Sequence, residues 1–121
     1  MLTPLAYGLA AALVAMITFI GLRFLLVPRP AAAAYGVPAT HDDAYLSIKG
    51  LRDLTFGLLG AALLLFASSD AAGWFMLVAA IVPLGDTLVV LRHGGTKAVA
   101  FGIHFATAVV VLLSAALLFA A

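Results

Sequence analysis

The stretch KGLRDLTFGLLGAALLLFASSDAAGWF, residues 49–75, passes from a knot of charges into an unbroken apolar run, pauses at Ser68, Ser69 and Asp70, and enters a second apolar run at Ala71. Roughly 20 apolar residues is the length a helix needs to cross a hydrocarbon core. A short polar pause between two such runs makes a tight turn, so the stretch reads as a transmembrane hairpin. Trp74, just inside the second run, suits the aromatic belt at the membrane interface.

Outward from this hairpin the pattern repeats, giving spans at about 4–27, 45–66, 71–91 and 98–119. The expected fold is all-α: a single four-transmembrane-helix bundle over residues 1–121, with a short interfacial segment between the first two helices. Composition agrees, since 66% of residues are hydrophobic, 9% are charged and mean hydropathy is +1.26, whereas average usage is about 25% charged. A signal peptide is the rival reading of the first run, with Ala31 to Ala34 resembling a cleavage region. It would need a basic start, and residues 1–22 carry neither Lys nor Arg.

Local punctuation places the junctions. Pro28, Arg29 and Pro30 close the first span, and Pro30 through Gly36 reads as one or two helical turns at the surface, stopped by the glycine. Thr40, Asp42 and Asp43 offer capping oxygens for the second span. Gly94 or Gly95 ends the third and Thr96 caps the fourth. The glycines before Lys97 lack the spacing of a phosphate-binding loop.

All six Lys and Arg residues lie in or beside the first and third junctions: Arg23, Arg29, Lys49 and Arg52 at one, Arg92 and Lys97 at the other. Short basic loops stay in the cytoplasm, so both termini are expected on the non-cytoplasmic side, with a bacterial inner membrane as the expected setting. The chain has no Cys, which excludes disulfides, thiolate metal sites and cysteine nucleophiles. It has no Glu, Asn or Gln either, so every carboxylate is an Asp. The bases form no stripe, and no nucleic-acid partner is expected.

Depth singles out the charges that need a reason. Arg23, Asp53, Asp86 and His104 sit one per helix, about 7 to 12 Å below the cytoplasmic surface at roughly 1.5 Å per residue. An exposed charge near the bilayer centre costs on the order of 3 kcal/mol, less at this depth, so all four are expected to turn inward together. Lys49, Arg52, Asp53, Phe56, Gly57 and Gly60 follow helical spacings on the second span, polar near the cytoplasm and small deeper down. Pro83, three residues before Asp86, removes an amide donor and should kink the third span, freeing a carbonyl near Ala79.

Two readings compete for this constellation. In one, Arg23 or Arg52 and His104 neutralise the aspartates and lock the helices together. In the other, Asp53 and Asp86 act as acid and base, Arg52 or Arg23 orients them, His104 relays protons, and Lys49, Phe56 and Phe101 contact a lipophilic small molecule entering from the bilayer. A metal site from His104, Asp53 and Asp86 is weakly signalled, and no cofactor is expected. An ion or proton path, or an assembly role in a homo-oligomer through small-residue pairs such as Gly57 and Ala61, are further alternatives.

The strings Gly21-Leu22-Arg23-Phe24-Leu25, Tyr35-Gly36-Val37-Pro38, Lys49-Gly50-Leu51-Arg52-Asp53, Pro83-Leu84-Gly85-Asp86 and Leu91-Arg92-His93-Gly94-Gly95, followed by His104, together resemble a family of small four-helix membrane proteins known as a domain of unknown function. It has bacterial and fungal members. The resemblance runs over nearly the whole chain and implies the same fold. Some fungal relatives are associated with polyketide pathways and proposed to open epoxides, so the resemblance makes epoxide hydrolysis or isomerisation an expectation here.

Overall fold

The structure, a computed structural model, describes residues 2–37 and 43–121. The described residues are helical throughout, joined by short turns. Helix α1 is Leu2–Leu26, α2 is Pro28–Tyr35 and α3 is Ala44–Phe66. Helix α4 covers Ser69–Arg92 and α5 covers Lys97–Ala120. Thr40 and Asp42, expected as caps of α3, and Pro38 lie outside the described residues. Asp43 stands at the N-cap of α3 without capping through its side chain; its carboxylate instead meets Arg29 Nε at 3.2 Å.

Three helices, α1, α4 and α5, are long and apolar enough to cross a membrane. Helix α3 spans 23 residues but carries Lys49, Arg52 and Asp53 in its first half and is not among the three. The outer surface is apolar: Leu26, Leu65 and Phe66 are each more than 70% exposed. Exposure of that many large apolar side chains fits a lipid environment and not water.

Most turns follow the chemistry read from the sequence, except that the short segment begins at Pro28, two residues before the expected Pro30. Val27 breaks α1 from α2, with Pro28 at the first helical position of α2. Gly36, at φ +94°, ends α2 by giving its N–H to the Ala32 and Ala33 carbonyls. Ser68 Oγ accepts from Ala71 N–H at 3.1 Å and starts α4. Thr96 Oγ1 accepts from Val99 N–H at 3.1 Å and starts α5. Helix α4 breaks at Ala80, one turn before Pro83, into Ser69–Ala79 and Ile81–Arg92. Proline supplies no amide to the carbonyl one turn back, which accounts for the break.

Packing sets the helix order. Helices α1 and α3 cross closely, because Gly21 and Gly50 face one another: a Cβ on Gly50 would lie 2.8 Å from the Gly21 carbonyl oxygen. Ala6, Ala10 and Val14 of α1 pack with Ala72, Met76 and Ala80 of α4 and with Val111, Ala115 and Leu118 of α5. Helix α3 meets α4 chiefly in the half nearest their shared turn, where the Phe56 and Phe75 rings stand 6.5 Å apart. Beyond it, the Ile81–Arg92 half of α4 packs on α5 and leaves a crevice against α3. Helix α2 tucks against α1 and α3 at the end of that crevice, burying Ala31 and Ala32 against Phe24.

Candidate functional site

On α3 the buried stripe is Gly50, Asp53, Gly57 and Gly60. Asp53 is thereby turned inward with only 5% exposure. One turn earlier Lys49 lies on the same face, and its Nζ stands 2.5 Å from Asp53 Oδ2. The ammonium also sits over two rings, 4.4 Å from the Phe24 centroid and 4.1 Å from that of Tyr35. Cation–π contact of this kind strengthens as water is excluded. Lys49 is therefore the partner of Asp53, a role the sequence reading gave to Arg23, Arg52 or His104. Arg52 is the next residue round the helix from Asp53 and faces outward, exposed.

The break in α4 precedes Asp86, and Thr87 Oγ1 donates to the Pro83 carbonyl at 2.8 Å just beyond it. Asp86 receives a hydrogen bond from the Tyr35 hydroxyl. Tyr35 was not among the expected site residues, since its short Ala-rich segment reads as a surface turn. Its ring meets Phe24 edge-on at 5.6 Å and lies 4.3 Å from the His104 ring. Burial, and then the Asp86 carboxylate, hold the Tyr35 phenol above its ordinary range, so it stays protonated and donates.

His104 is 3% exposed and reaches the Tyr35 carbonyl through Nε2 at 2.7 Å, with the nitrogen donating. It lies within a π turn, Ala100–Phe105, closed by Ala106 N–H donating to the Phe101 carbonyl. Such turns add a residue to one helical circuit and are frequent at functional sites. The same turn sends Phe101 outward, 49% exposed and packed edge-on to Phe105, away from the other expected contacts.

Arg23, Phe24, Tyr35, Asp53, Phe56, Asp86 and His104 line one cavity of about 740 Å³. The ring of polar groups on four helices is thus real, completed by Tyr35 from α2. Arg23 lines the cavity half-buried and forms no ion pair among the described residues. From this polar end the cavity runs along α4 past Pro83 and Ala79 to Trp74, with apolar walls. Among the described residues no three His, Cys, Asp or Glu side chains are grouped to hold a metal ion.

A family described as Domain of unknown function (DUF4267) matches residues 14–118. The chain belongs to this family. The DUF4267 match covers every residue of the polar ring, from Arg23 to His104, and the far wall at Trp74. No curated protein and no solved structure matches the chain.

Proposed function

We propose that this protein is a four-pass membrane enzyme performing acid–base chemistry on a lipophilic small molecule, opening or isomerising an epoxide. The observation that carries it is the joining of two differently partnered carboxylates, Asp53 with Lys49 and Asp86 with Tyr35, at the head of one apolar cavity. A structural lock needs charges neutralised in pairs; it has no need of a large cavity beside them.

In this reading α3 is the fourth crossing. Its charges are confined to the end that carries the site, and its remaining face is apolar. Basic junctions place the site near the cytoplasm and both termini outside.

Asp86, held by the Tyr35 hydroxyl through Oδ2, takes a proton from water on its other oxygen. The water oxygen forms a bond to one epoxide carbon, that carbon's bond to the ring oxygen breaks, and the electron pair stays on the oxygen. The Lys49 ammonium, hydrogen-bonded to Asp53, gives up a proton that Asp53, which lines the cavity, passes to that oxygen. Arg23 faces the developing negative charge, where a fixed cation in a dry site stabilises most. His104, fixed by the Tyr35 carbonyl, returns the proton from Asp86 to the Lys49 and Asp53 pair between turnovers. Isomerisation follows the same protonation, with Asp86 removing a neighbouring C–H proton instead of activating water.

The test is turnover of a panel of lipophilic epoxides by the purified protein in detergent, read as diol or allylic alcohol. Product formed by the parent and lost in well-folded Asp53→Asn and Asp86→Asn supports catalysis. No turnover of any epoxide, together with large destabilisation of both variants, supports the lock.

A further inference from the structure

The cavity is strongly polarised along its length. Its titratable groups, Arg23, Tyr35, Asp53, Asp86 and His104, crowd one end. From Asp86 back to Trp74 is twelve residues of α4, about 18 Å at the helical rise. Over that distance Thr107 supplies the one side-chain hydroxyl on the wall among the described residues. The cavity also opens sideways: Phe56 on α3 and Val78 and Val82 on α4 line it and are exposed at the same time. They flank the crevice left where the second half of α4 turns from α3 to α5.

Charge narrows the occupant further. Among the described residues Arg23 and Lys49 are matched by Asp53 and Asp86, so these four charges sum to zero. An anionic head group could pair with Arg23 only beside the Asp86 carboxylate, which has no cation partner among the described residues, and a cationic one would face Arg23, so a net charge on the head group is disfavoured. An uncharged oxygen at the same position accepts a hydrogen bond from Arg23, whose guanidinium has no carboxylate partner among the described residues.

We infer that the cavity binds an uncharged single-chain amphiphile, admitted from the bilayer between α3 and α4, its oxygenated end at Arg23 and Asp86 and its apolar tail laid along α4 to Trp74. The inference rests on the proposed site but not on its catalysis. It makes the reacting group terminal or nearly so, and it makes the stretch from Ala79 to Trp74 a tail channel.

Trp74 is the only tryptophan of the chain, lines the far end and is also 60% exposed, so the saturable part of its quenching reports the tail, above a non-saturating background from probe in the micelle. The probes are ω-bromoundecanol and ω-bromoundecyl sulfonate, added to the protein in detergent micelles, with bromine quenching read from Trp74 fluorescence. The expected result is saturable quenching by the alcohol, with a midpoint about tenfold or more below that of the sulfonate. Ala79→Phe, which blocks the channel midway, is expected to abolish the saturable part. Val82→Phe narrows the channel from the exposed rim about one turn along the same α4 wall, so it decides the matter if Ala79→Phe fails to fold. Quenching that rises without saturation and ignores both substitutions overturns the tail channel. Equal midpoints for alcohol and sulfonate overturn the uncharged head. The alcohol cannot be turned over, so its binding supports the channel whatever epoxide assays give, and epoxide turnover without alcohol binding overturns the channel while leaving the catalysis standing.

Discussion

Replacing Lys49 by Met removes the cation that faces Asp53 and keeps most of the apolar stem packed on Phe24 and Tyr35. The Asp53 side chain is 8% exposed and so is left as a buried carboxylate without its partner. Breaking a fully buried pair costs about 3 to 5 kcal/mol. Here the Lys49 side chain retains 28% exposure, so water screens part of the interaction and about 2 kcal/mol is the reasonable magnitude. For a chain of this length that lowers the melting temperature by about 6 to 10 °C. Asp53→Asn strands Lys49 instead and should cost less, because the ammonium can move toward water. The double variant Lys49→Met with Asp53→Asn contains no stranded charge and should recover to within about 1 kcal/mol of the parent, a coupling expected of groups in direct contact. Thermal unfolding of the four proteins in one detergent, followed by circular dichroism, gives the cycle. A double variant that loses the sum of the two single losses would falsify the pairing of Lys49 with Asp53.

Tyr35→Phe removes the donor to Asp86 and is expected to lower stability by about 1.5 to 3 kcal/mol, the range for a hydrogen bond to a charged group; an unchanged melting temperature would count against that bond. Gly50→Val drives a side chain into the Gly21 carbonyl and should destabilise by at least about 1 to 3 kcal/mol through overpacking, whereas Gly102→Ala, with nothing near its Cβ, should be neutral or stabilising. The same melting assay checks both, and equal losses would contradict the close crossing of α1 and α3. Reporter fusions at Ala121 and in the Gly94–Gly95 turn should label opposite compartments, and a cytoplasmic Ala121 would overturn the proposed orientation.

The helices were legible because each rests on a local signal: apolar runs of spanning length, prolines at residues 28 and 83, Gly36 and Gly94 as left-handed stops, the polar pause at Ser68, and Thr96 as a cap. The convergence of Arg23, Asp53, Asp86 and His104 was legible from depth alone, since buried charges in a membrane helix must turn inward. What depth cannot give is pairing. Lys49 and Asp53 are four residues apart on one face, a spacing that signals contact, yet a longer-range partner for Asp53 looked equally open. Arg52 was misplaced because a residue adjacent to Asp53 is turned by about 100° around a helix of 3.6 residues per turn. Phe101 was misplaced by the π turn, which shifts the phase of α5 and has no sequence signature. Tyr35 enters the site because α2 folds back beneath the crevice, a tertiary event that a run of alanines between prolines does not announce.

The most direct measurement is the mass of the product formed from a lipophilic terminal epoxide in heavy-oxygen water, by the parent protein and by Asp86→Asn at equal melting temperature. With Asp86 as the base, the parent is expected to yield diol carrying one heavy oxygen and Asp86→Asn to yield none above the uncatalysed background. Labelled diol formed by Asp86→Asn at the parent rate would contradict the assignment of Asp86 and with it the acid–base site.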